Sequence, residues 1–150
     1  MVIYLFICWA FCLFSFNDRE VLLFTLFIVC SFDAFSQLSG QLFGRWKLCP
    51  RISPNKTIEG LIGGFVISLI ISVVIGSVMT GSTIHFLFMG SCITISSFLG
   101  DLSASYVKRL YNVKNFSSAI PEHGGFLDRF DSLILAGAVV HLIENMNIWV

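Results

Sequence analysis

Two aspartates stand out in an apolar chain. Asp101 follows Gly100 at the end of one apolar run, and Asp128 just precedes another. Two carboxylates at a basic boundary are a usual way to hold Mg²⁺, with phosphate oxygens and water completing the shell. Lys108 and Arg109 follow Asp101 on what reads as a helical extension. A lysine point charge beside an arginine fork suits a phosphate chain. Each group also has a plainer reading. The aspartates mark helix ends, and the basic pair snorkels and fixes topology. The stretch IPEHGGFLDRFD over 120–131 surrounds Asp128 with His123, Gly124, Gly125, Arg129 and Asp131. The paired glycines let backbone approach a ligand or turn into a helix. Asp128 and Asp131, three apart, share one face of the helix that follows.

A second cluster, RISPNKTIEG over 51–60, reads as a helix start. Ser53 as N-cap with Pro54 at the first helical position is the favoured arrangement. It puts Lys56 and Thr57 in the first turn, where free N–H groups and the helix dipole favour an anion. Glu59, one turn deeper, pairs with a basic residue or joins the metal site. Gly60, Gly63 and Gly64 give that helix a small-residue face for close packing. Asp33 lies in the middle of an apolar run, where a carboxylate costs at least ~2.5 kcal/mol on insertion scales. A functional or paired role is therefore expected, with Ser36, Gln37 and Ser39 forming the wall of a polar cavity; a transporter would show such a residue too. Glu144 reads as interfacial, and His85 and His141 as structural groups.

The elements that position these residues are read from composition. Only 12% of residues are charged, against about a quarter in soluble domains. With 56% apolar residues and a mean hydropathy of +0.87, the chain belongs in a bilayer. Its net charge of zero implies no nucleic-acid partner. None of the five cysteines forms a C-x-x-C pair, so they read as small buried apolar residues. The N-terminus has no basic region and no small-residue cleavage site, so it reads as a retained membrane helix. Five apolar runs, at 2–16, about 21–39, about 58–79, about 82–99 and 132 to about 150, predict an all-α polytopic membrane protein. The fourth run extends as a polar helix toward Tyr111. One domain, 1–150, accounts for the length. Every Lys and Arg except Arg19 lies in the links at 40–57 and 100–131. A tight turn at 80–82 puts both links on one face, and the positive-inside rule makes it cytoplasmic.

Several of these strings resemble one family. The run Ser105-Tyr-Val-Lys-Arg109, then Lys114-Asn115, then the 120–131 stretch is similar to the C-terminal signature of phosphatidate cytidylyltransferases, the CDP-diacylglycerol synthases. Gly40-Gln-Leu-Phe-Gly-Arg45, the 50–60 segment and Gly100-Asp-Leu-Ser-Ala-Ser105 resemble its other motifs. The resemblance covers about residues 30–135. It implies an all-helical membrane enzyme that makes CDP-diacylglycerol and pyrophosphate from CTP and phosphatidic acid. It further implies that Asp101 and Asp128 bind Mg²⁺, with a monovalent cation such as K⁺ nearby, and act with Lys108 in catalysis. Ser53, Lys56, Thr57, Glu59, Arg109, His123, Gly124, Gly125, Arg129, Asp131 and Asp33 would bind the substrates. The site would face the cytoplasm from the inner membrane.

Asn115 and Glu122 depart from the family's usual Asp and Gly. Family members generally carry more membrane helices before these motifs, so a truncated N-terminus or a minimal version is expected. The family pairs subunits, which points to a homodimer. Two other readings stay open: a related lipid nucleotidyl- or phosphotransferase using an isoprenoid or archaeal-type ether lipid, and a non-catalytic membrane paralogue or transporter fragment.

Overall fold

A computed structural model describes residues 19–49, 53–79, 83–110 and 127–145. Four helices and a short ribbon make up these residues: α1 (Arg19–Phe43), β1 (Lys47–Cys49), β2 (Ser53–Thr57), α2 (Ile58–Met79), α3 (Thr83–Leu110) and α4 (Leu127–Asn145). α1, α2 and α3 are long and apolar enough to cross a membrane, while the apolar part of α4, Ser132–Asn145, is shorter. The expected run at 2–16 lies outside the described residues. The protein is a helical membrane protein, and α3 is continuous through the polar extension foreseen after residue 99.

α1 buries Phe24, Thr25, Ile28, Val29 and Phe32. Steps of three and four residues put these on one face of a helix. Ile28 of α1, Ile93 of α3 and Val140 of α4 are fully enclosed at the centre of the core. Phe24 meets Phe86 edge-on, with ring centroids 5.2 Å apart. α2 joins differently. A Cβ on Gly60 would come within 2.6 Å of the Ser36 carbonyl oxygen, and one on Gly64 within 2.7 Å of the Ser36 Cβ. Gly63 lies against Ser39. The expected small-residue packing face is thus present, and α1 is its partner. Lipid tails are as apolar as leucine, so close backbone approach and hydrogen bonds must hold such a seam. Between α2 and α3, Ser68 and Thr94 share a buried hydrogen bond of 3.1 Å, and Ser72 donates to the Phe86 carbonyl at 2.5 Å. The opposite face of α2 exposes Ile62, Val66, Ile70 and Val74, one per turn. That stripe suits contact with lipid.

The helix start expected at Ser53 is corrected. Residues 53–57 form a strand antiparallel to β1, with Lys47 opposite Thr57 and Cys49 opposite Ser53. α2 begins at Ile58, and the stretch without a charged residue begins just after Glu59. Thr57 takes the capping role instead, its Oγ1 accepting from Gly60 N–H at 3.2 Å. The Ile58 N–H donates to the Trp46 carbonyl at 3.0 Å, closing the ribbon onto the helix. A serine before proline is pushed toward extended geometry, and a proline is tolerated in an edge strand. The local residues allow either outcome, and the pairing with β1 selects the strand. Lys56 and Thr57 therefore do not occupy a first helical turn, and the fold is not purely α.

Candidate functional site

One cavity of about 610 Å³ opens where α1, the ribbon, the start of α2 and the middle of α3 meet. α1 supplies Asp33, Ser36, Gln37, Gly40 and Gln41, which recur at helical spacing along its inner side. The ribbon supplies Lys47, Ser53, Lys56 and Thr57. Phe98 and Asp101 come from α3. The small-residue seam explains how so polar a wall arises within apolar helices. Gly60 and Gly64 bring α2 against α1, so the ribbon that precedes α2 lies directly over the polar side of α1.

At the centre, Lys56 Nζ is ion-paired with Asp101 Oδ2, the two side chains being 24% and 36% exposed. Lys56 also sits 5.1 Å from the centre of the Phe98 ring, within cation–π range. The second oxygen of Asp101, Oδ1, faces the Ser105 hydroxyl one turn on, at 3.5 Å. The carboxylate is thus held between a cation and a weak donor, at the edge of a space large enough for a ligand. The half-exposed setting keeps both charges reachable from solvent.

The expected site residues divide into four groups. Asp33, Ser53, Lys56, Thr57 and Asp101 are brought together in the cavity. Ser36 and Gln37 form its wall as expected, whereas Ser39 is used in the helix seam against Gly63. Lys108 and Arg109 lie further along α3, outside the cavity lining, and each has an interaction partner. Glu59 lies in a separate concavity with Arg45 and Trp46. His123, Gly124 and Gly125 fall outside the described residues. Asp128, Arg129 and Asp131 lie in α4, which packs along α3, but their side chains are outside what is described. Lys47, Gln41 and Phe98 were not singled out by the sequence. Gln41 carried a signal, since it continues the helical spacing of Asp33 and Gln37.

The donor set around the cavity consists of carboxylate, hydroxyl and amide oxygens, which is the chemistry of a hard cation. Among the described residues, no three His, Cys, Asp or Glu side chains gather closely enough to cage an ion. Mg²⁺ usually takes one or two carboxylates and completes its shell with water and substrate phosphates, and Asp101 is the carboxylate at the cavity centre that would serve.

Comparisons with known proteins bear on the family and the fold. Residues 1–146 match the model of the cytidylyltransferase family. Over 120 residues, 79% of this chain and 40% of the relative, the sequence is 42% identical to uncharacterized protein YnbB of Escherichia coli (strain K12). It is 38% identical over 127 residues to the phosphatidate cytidylyltransferase of Rickettsia bellii (strain RML369-C), covering 79% of this chain and 55% of that protein. The chain thus spans about half the length of the curated relatives it matches. Its fold is similar to that of a solved intramembrane enzyme for archaeal membrane lipids biosynthesis, with a TM-score of 0.56, 21% identity, and coverage of 77% and 75% of the two chains. The match across nearly its whole length, with about 38% identity to several phosphatidate cytidylyltransferases, shows that this chain belongs to the cytidylyltransferase family.

Proposed function

We propose that this chain carries the catalytic cavity of a phosphatidate cytidylyltransferase, which converts CTP and phosphatidic acid to CDP-diacylglycerol and pyrophosphate. The observation that carries the reading is the Lys56–Asp101 pair in an oxygen-lined cavity at one end of membrane-length helices. Relatives named phosphatidate cytidylyltransferase support the choice of substrates.

An oxygen of the lipid phosphate attacks the α-phosphorus of CTP. A new P–O–P bond forms, the bond to the β-phosphate oxygen breaks, and pyrophosphate leaves with the electron pair. A phosphate monoester has a second pKa of about 6, so the nucleophile is already an anion and needs no strong base. The obstacle is repulsion between two polyanions, and catalysis rests on positioning and neutralising charge. Lys47 and Lys56 bring positive charge to the cavity, and Ser53 and Thr57 bring hydroxyl donors. Asp101, with Asp128, would hold Mg²⁺, with K⁺ beside it, and the ion when bound neutralises phosphate charge. Lys108, Arg109, His123, Gly124, Gly125, Arg129 and Asp131 complete the proposed site from the second link. The ribbon end faces the cytoplasm of the inner membrane, where CTP arrives while the lipid tails stay in the bilayer. A homodimer of the chain is part of the same reading.

The test is incorporation of radiolabelled CTP into lipid by membranes expressing this chain. Label is expected in lipid with phosphatidic acid and Mg²⁺, and its absence overturns the reading. Asp101→Asn and Asp128→Asn should each abolish incorporation while the chain still inserts. Normal turnover in either removes that carboxylate from the cation site. Label appearing only with an isoprenoid or ether-lipid acceptor would transfer the reaction to a related lipid transferase.

A further inference from the structure

Glu59 stands beside the cavity without lining it. Its concavity is formed with Leu42, Phe43, Gly44, Arg45 and Trp46. Both carboxylate oxygens accept from the Trp46 N–H, at 3.2 and 3.3 Å. The carbonyl of the same tryptophan accepts from the Ile58 N–H at 3.0 Å. The first turn of α2 therefore holds both backbone groups of Trp46. One residue later the chain enters β1, where Lys47 pairs with Thr57. Lys47, Lys56 and Thr57 all line the cavity. A two-stranded ribbon is marginal on its own, so its place depends on what ties it to the helices.

We propose that Glu59 is a positioning residue: acting through the Trp46 N–H, its carboxylate fixes where Lys47, Lys56 and Thr57 stand over the cavity. It does so without touching nucleotide, lipid or cation. The sequence left Glu59 either paired with a basic residue or joined to the metal site, and the family resemblance put it among the substrate-binding residues. The geometry assigns it to the joint between α1 and the ribbon. An acceptor with two oxygens suits a single N–H that both can reach, and Arg45 in the same concavity offsets the charge. The proposal rests on the transferase reading only for its kinetic readout.

Two substitutions separate positioning from ligand binding. Glu59→Gln keeps an oxygen for the Trp46 N–H, whereas Glu59→Ala removes it. A cation or substrate contact would lose its charge in both. The first readout needs no activity. Cys49, half-buried in β1, is labelled with a water-soluble maleimide in a chain whose Cys8, Cys12, Cys30 and Cys92 are replaced by serine. Labelling should rise about fivefold in Glu59→Ala, the worth of one net hydrogen bond, and less than about twofold in Glu59→Gln. The second readout is kinetic. KM for CTP should rise about fivefold in the alanine variant, with kcat nearly unchanged and the glutamine variant close to wild type. Equal Cys49 labelling in all three chains overturns the proposal, as does a glutamine variant as impaired as alanine. If the unsubstituted chain makes no CDP-lipid, the functional reading falls and the labelling still decides the role of Glu59.

Discussion

The two ends of α1 are packed by opposite means. Toward its start, Phe24 and Ile28 interlock with Phe86, Met89 and Ile93 of α3 and with Val140 of α4. Toward its end, Ser36, Ser39 and Gly40 lie against Gly60, Gly63 and Gly64 of α2. Large side chains fill the first region, and nearly bare backbones meet in the second. The bilayer gives no hydrophobic drive for either, since helix faces leave lipid rather than water. The bulky region gains from dispersion between well-fitted side chains. The small-residue seam gains from close approach, and it also sets the height of the ribbon over α1. One end therefore holds the bundle together, while the other holds the helices at the spacing the cavity needs.

The sharpest break of this contrast is Gly60→Leu. A Cβ at Gly60 already falls 2.6 Å from a backbone oxygen of Ser36 and 3.0 Å from the Gly40 Cα. Backbone cannot rotate away as a side chain can, so α1 and α2 must part. CTP incorporation is expected to fall by more than about a hundredfold, as misplacement of about an ångström far from the chemistry can do. The substituted residue lies outside the cavity lining, so wild-type activity in Gly60→Leu would show that the seam does not set the site. Ile93→Ala probes the other end. Only packing is lost there, because lipid offers the exposed chain nearly the same transfer energy as the core. About 1–2 kcal/mol of bundle stability should go, below the range for water-soluble cores. Thermal unfolding in detergent measures the loss, and activity at low temperature should persist. A larger loss of activity than of stability would place the core within the catalytic machinery.

The same contrast explains what the sequence revealed. The far end of α2 was legible, because a Gly-Ser turn follows its apolar run, whereas a helix start was read at Ser53 and lies instead at Ile58. The packing role of Gly60, Gly63 and Gly64 was legible from spacing alone. Asp33 announced a polar wall, since an acid inside an apolar run needs a reason. The ribbon was not legible. Ser53-Pro54 fits a helix cap and an edge strand equally well, and the pairing of Lys47–Cys49 with Ser53–Thr57 is a choice made between segments. The Lys56–Asp101 contact was hidden for the same kind of reason. Each residue drew notice in its own motif, but their pairing depends on α2 and α3 lying side by side. Glu59 was noticed and left between a basic partner and the metal site, because sequence shows a carboxylate near cations and cannot show the N–H in front of it.

Ser105→Ala gives the smallest expected effect and sharpens the boundary of the cavity end. Ser105 stands one turn beyond Asp101 and lies outside the cavity lining. Its hydroxyl reaches Asp101 Oδ1 at 3.5 Å, at the outer limit of a hydrogen bond. A contact of that length to a half-exposed carboxylate should contribute well under 1 kcal/mol. Lys56, paired with the other oxygen, already fixes the side chain. CTP incorporation should therefore change by less than about twofold, and the dependence on divalent cation by no more than that. A drop beyond about tenfold would exceed what one long hydrogen bond can carry. It would mean that Ser105 itself contacts the cation or the nucleotide, and that the working surface continues down α3 toward Lys108 and Arg109.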